Sequence, residues 1–77
     1  MSNLNHVMTV SDEGIARVTV TGPADDMNDD VIVHMHLKTL NVRSYAYIKG
    51  STYYNGTATK KIISRSYRYE PDTTHKR

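Results

Sequence analysis

The chain has 77 residues and a formal net charge of +2, a length that fits one domain near the lower size at which a core is stable unaided. It contains no Cys, Trp or Phe, and all six aromatics are Tyr. That excludes disulfides and thiolate metal sites and leaves Val, Ile, Leu, Met and Ala to build the interior. Such thin core material favours self-association, and a homodimer is expected.

No apolar run approaches the roughly 18 residues of a membrane span, so no membrane partner is expected. The opening MSNLNHVMTV lacks the basic start and long apolar stretch of a secretory signal, and the chain reads as cytoplasmic. Charge is divided along it. Residues 1–30 hold Asp12, Glu13, Asp25, Asp26, Asp29 and Asp30 against the single Arg17, whereas residues 31–77 hold nine Lys and Arg against Glu70 and Asp72. An asymmetry of this kind points to a polyanionic partner.

The first expected strand is residues 4–10, followed by the turn Ser11-Asp12-Glu13-Gly14. From Ile15 to Thr21, Ala16, Val18 and Val20 fall on one side and Arg17, Thr19 and Thr21 on the other, which makes this segment the hairpin partner of the first. Gly22-Pro23 stops it, and the acidic loop PADDMNDD runs to Asp30. In VIVHMHLKTL the odd positions Val31, Val33, Met35 and Leu37 form an apolar strand face, and three successive β-branched residues favour a strand. The competing reading is a helix near residues 29–40, with Asp29 and Asp30 at its N-terminus and Ile32, Met35 and Leu40 sharing a side.

Asn55-Gly56 is a strong hairpin signal, since both positions of a two-residue turn need positive φ. It joins Val42–Tyr54 to Thr57–Tyr69. A two-residue loop sets Tyr54 opposite Thr57, Ile48 opposite Ile63 and Arg43 opposite Arg68. Val42, Ser44, Ala46 and Ile48 then face inward. Arg43, Tyr45, Tyr47, Lys49 and Tyr53 share the outer face with Lys60, Ile62, Ser64, Ser66 and Arg68, and Gly50 marks a bulge. Residues 1–70 form a single β-rich domain in this reading, and residues 71–77, after Pro71, a polar mobile tail. The expected fold is mostly β, a small bent antiparallel sheet or partly open barrel of about five strands; the alternative is α+β with one helix near 29–40.

Arg43-Ser44-Tyr45-Ala46-Tyr47-Ile48-Lys49 resembles the RNP1 motif of RNA-recognition and cold-shock domains in its basic residue, its two aromatics, the small residue between them and the aliphatic. It differs at Ser44, where those families have Gly, and at Gly50, where a final aromatic is usual. Val31-Ile32-Val33-His34-Met35 looks like the second cold-shock motif without its aromatics, and stands in reversed order. The resemblance implies contact with RNA or single-stranded DNA. The physics is independent of ancestry: unpaired bases stack on aromatic faces while flanking cations follow the phosphates. The expected nucleic-acid-binding residues are Arg43, Tyr45, Tyr47, Lys49, Tyr53, Lys60, Arg65 and Arg68. The same residue types also serve as ordinary cross-strand pairs on an exposed sheet.

His34-x-His36 on a strand face has the spacing to chelate Zn or Ni, with a third ligand from His6, His75 or the acidic loop. Without Cys or fixed His spacing, no metal and no cofactor are expected. Asp26-x-Asn28-x-Asp30 imitates a calcium loop, but Val31 stands at the Gly position and Leu37 at the closing Glu. No nucleophile, phosphate-binding Gly-rich loop or paired carboxylates point to catalysis, so no enzyme is expected. The sequence therefore suggests a small non-enzymatic binding protein. Its alternatives are a protein–protein module of the phage or mobile-element inhibitor or adaptor type, using the Tyr face or Asp25, Asp26, Asp29 and Asp30, and a structural subunit of an assembly.

Overall fold

The computed structural model describes residues 4–24 and 29–71. Four strands and one helix follow in the order β1 (Asn5–Val10), β2 (Ile15–Pro23), α1 (Asp29–Lys38), β3 (Val42–Tyr54) and β4 (Lys60–Pro71). The strands make one antiparallel sheet in the spatial order β1-β2-β4-β3. The mostly-β, open antiparallel sheet is as expected. Among the described residues no helix is long and apolar enough to cross a membrane.

The β1–β2 hairpin forms where the alternation placed it, with Met8 opposite Val18 and Val10 opposite Ala16. Its turn is held by Ser11, whose Oγ accepts the backbone N–H groups of Glu13 and Ile15, both at 3.2 Å. Gly14 takes φ +81°, in the left-handed region, where a glycine meets no steric penalty.

Residues 29–38 are a helix, the alternative expected near 29–40, rather than the favoured strand. β2 and β3 both run antiparallel to β4, so they are parallel to each other with β4 between them. Parallel strands cannot be joined by a tight hairpin and need a crossover. Ten helical residues at about 1.5 Å each carry the chain across β4 to the far edge. Asp29 and Asp30 occupy the first turn and Lys38 the last, charges that complement the helix dipole. The buried side is Ile32, Val33 and Leu37, which meets Ala16, Val18 and Val20 of β2; Met35, assigned to the apolar face, is exposed.

The charge halves interleave in part. Lys61 Nζ of β4 lies 3.6 Å from Asp29 Oδ2, with both side chains less than one-fifth exposed. Asp29 therefore faces inward rather than presenting a free acidic patch, and Asp25 and Asp26 lie outside the described residues, as do His75 and the expected tail after Pro71.

The β3–β4 hairpin departs from its expected register. Tyr54 pairs with Lys61 rather than Thr57, Ile63 with Thr52 rather than Ile48, and Arg68 with Ala46 rather than Arg43. The Asn-Gly two-residue turn does not form. Instead Ala58 N–H donates to Asn55 O (2.9 Å), and Asn55 Oδ1 accepts from the backbone N–H groups of Thr59 (3.0 Å) and Lys60 (3.3 Å). The asparagine side chain thus caps a longer loop. The positive φ falls on Ala58 (61°), not on Asn55 or Gly56. A left-handed alanine costs roughly 1–2 kcal/mol, so Ala58→Gly is expected to stabilise the protein by about 0.5–1 kcal/mol after the entropy of the added glycine is counted. A urea denaturation midpoint that falls instead of rising would contradict this.

Candidate nucleic-acid interface

The helix covers one face of the sheet and leaves the other bare. Register fixes which side chains share that bare face: Asn5, Thr21, Ile62 and Tyr53 form one cross-strand row, Val7, Thr19, Ser64 and Ser51 the next, and Thr9, Arg17, Ser66 and Lys49 the third. Central strand β4 contributes only small hydroxyl side chains to two of these rows. Larger groups stand on either side, from β2 and from β3. The result is a trough along β4, an open cavity of about 480 Å³ lined by Arg17, Thr19, Lys49, Gly50, Ser51, Tyr53, Ser64 and Ser66.

Its chemistry follows from that lining. Arg17 and Lys49 flank the buried Ser66 in one row, two strand spacings or about 10 Å apart. Among the described residues no carboxylate lines the trough and neither cation forms an ion pair. Four hydroxyls lie between or beside them, and Tyr53 forms one end with 66% of its surface exposed. Two uncompensated cations over hydroxyl donors suit a phosphate chain, and the Tyr53 face suits a stacked base.

The eight expected contact residues do not share one face. A register irregularity between Tyr47 and Lys49, at Ile48, reverses the alternation. Lys49 and Tyr53 lie on the bare face with Arg68 and Lys60. Tyr45 and Tyr47 pair with Tyr69 and Tyr67, on the helix side, where Arg65 also lies. A second irregularity between Val42 and Ser44 leaves Arg43 without a cross-strand partner; it is exposed. Ala46 and Ile48, expected inside, are exposed as well. Arg68 is tied to the first hairpin, its Nη1 donating to Glu13 O at 3.5 Å.

On the helix side the tyrosines form a cluster of their own. The Tyr45 and Tyr67 rings meet edge to face at 5.8 Å between centroids, and Tyr47 and Tyr67 at 5.6 Å. Burial pushes the Tyr67 phenol above its ordinary value, and neighbouring Arg65 opposes that rise. Tyr45 and Tyr67 line a smaller cavity of about 200 Å³ with Asp30, Val33, His34 and Leu37. There the aromatics pack together, and an acidic group stands beside them.

Sequence reasoning missed Arg17, Thr19, Ser51, Ser64 and Ser66. The alternation of β2 already separated Arg17 and Thr19 from the apolar side. The missing knowledge was that β2 lies beside β4, which sets those two residues against Ser66 and Ser64. The expected pairing of His34 with His36 is also corrected. On a helix, residues two apart point about 200° apart, so His34 turns toward Tyr45 and Tyr67 while His36 turns toward β1. No protein-family model matches the chain, and no curated protein or solved structure matches it.

Proposed function

We propose that the protein binds single-stranded nucleic acid along the trough on the bare face of the sheet. The observation that carries this reading is the row Arg17–Ser66–Lys49, two cations without a counter-charge among the described residues, in a concave, hydroxyl-rich setting with Tyr53 at its end. Arg17 and Lys49 contact phosphates, with Lys60 and Arg68 extending the basic track, and Tyr53 stacks on a base. The reading keeps Lys49, Tyr53, Lys60 and Arg68 of the sequence-based set, adds Arg17, and leaves Tyr45 and Tyr47 out of the contact.

Three or four phosphate contacts give a salt slope of about −2 to −3 on logarithmic axes. Affinity for a fluorescent oligonucleotide is therefore expected to fall roughly 15- to 60-fold between 50 and 200 mM salt. Tyr53→Ala removes one stacking partner, worth about 1–3 kcal/mol, whereas Tyr45→Ala on the opposite side leaves affinity unchanged. No detectable binding at 50 mM salt sinks the proposal. Loss on Tyr45→Ala with Tyr53→Ala unaffected would move the interface to the helix side.

A further inference from the structure

His6 of edge strand β1 and His36 in the last turn of α1 come together although 30 residues separate them in sequence. His6 pairs with Val20 in the β1–β2 ladder, which directs its side chain to the helix-covered side. Its Nδ1 lies 2.8 Å from Nε2 of His36. The rings meet edge to face, with centroids 4.9 Å apart and planes inclined at 72°. One imidazole N–H donates to the lone pair of the other, so two nitrogens able to ligate a metal already face each other at close range.

We propose that His6 and His36 form a two-histidine chelate for a late first-row dication such as Zn²⁺, Ni²⁺ or Cu²⁺. Imidazole nitrogen suits these metals, which take it at about 2.0–2.1 Å. Two such bonds at a tetrahedral angle place the nitrogens about 3.3 Å apart. The rings must then separate by about half an ångström, a small adjustment for side chains on an edge strand and a terminal helical turn. On binding, the donating ring moves its proton to its other nitrogen by exchange with solvent, so both rings stay neutral and each gives the lone pair of its facing nitrogen to the metal. Among the described residues no third histidine or carboxylate joins them, so water completes the coordination and the metal remains exchangeable. The bound ion ties the end of the helix to β1. It also lies on the side of the sheet away from the trough, so it acts independently of nucleic-acid binding.

The test is a calorimetric titration of the full chain with ZnCl₂ in a non-coordinating buffer, together with ¹⁵N-histidine spectra and thermal unfolding. One zinc per chain is expected, with the His6 and His36 ring signals shifting and the unfolding midpoint rising. His6→Ala and His36→Ala should each weaken binding at least tenfold and abolish the midpoint rise, while His34→Ala leaves both unchanged. If His6→Ala loses its native circular dichroism, His6→Gln replaces it, since it keeps a polar side chain of similar reach without the imidazole. Absence of heat and of any midpoint shift at millimolar zinc overturns the proposal, as does binding of undiminished affinity in a folded His6 variant.

Discussion

Leu37→Ala is expected to destabilise the protein by about 2–5 kcal/mol, the range for deleting a large apolar side chain from a packed interior. Leu37 is 3% exposed and belongs to the cluster in which Ile32, Val33 and Leu37 of α1 close over Ala16, Val18 and Val20 of β2. That contact is the main seal of a thin core. Native domains hold only about 5–15 kcal/mol in total, and one of this length sits toward the lower end. The loss therefore removes much of the stability, and it is read as a lower urea midpoint by circular dichroism. Met35→Ala on the exposed side of the same helix makes the control, expected within about 0.5 kcal/mol of the parent. Equal effects at the two positions would mean that α1 does not pack on β2 through Leu37.

The same helix shows why local sequence left its conformation open. Val31-Ile32-Val33 favours a strand by propensity, and the two-residue alternation of Val31, Val33, Met35 and Leu37 agrees with it. What decides for a helix is non-local: β4 inserts between β2 and β3, and the connection between parallel neighbours must then be a crossover. The β1–β2 hairpin needed no such information. Its alternation, its serine-glycine turn and its short loop all point the same way, and its polar and apolar sides are as expected.

The β3–β4 hairpin fails and succeeds in an instructive combination. Replacing a two-residue turn by the Asn55-capped loop moves the pairing near the turn by four residues, from Tyr54 opposite Thr57 to Tyr54 opposite Lys61. An even shift preserves faces, because side chains alternate with a period of two. Lys49 and Tyr53 therefore stay beside Ser66, Ser64 and Ile62 despite the wrong partners. The irregularity at Ile48 is an odd step and does the opposite, sending Tyr45 and Tyr47 to the other side. The stripe Arg43–Tyr45–Tyr47–Lys49 is thus two half-stripes back to back. Nothing local to the sequence marks Ile48 as the point of reversal. Gly50 hinted at an irregularity nearby but not at which residue is the extra one.

Gly50→Ala is the second large effect expected, a loss of about 1–3 kcal/mol with weakened nucleic-acid binding. A Cβ at Gly50 would lie 2.7 Å from the Tyr47 hydroxyl and 2.8 Å from the Ser64 backbone oxygen. Because the Ile48 irregularity brings residues 47 and 50 onto the same side, the Tyr47 ring reaches over the glycine, covering backbone that has no side chain of its own. The tyrosine hydroxyl can swing away. The Ser64 carbonyl cannot, since β4 is held between β2 and β3 on both edges, and so β3 must move. That movement displaces Lys49 and Ser51, which flank Gly50 and line the trough. Stability and oligonucleotide affinity should consequently fall together in Gly50→Ala. Adding Tyr47→Phe removes the hydroxyl contact and leaves the carbonyl, so the double variant should recover little of either. Full recovery in the double variant would show that the tyrosine, rather than the spacing of β3 from β4, sets the requirement for glycine and that the trough tolerates a wider strand separation.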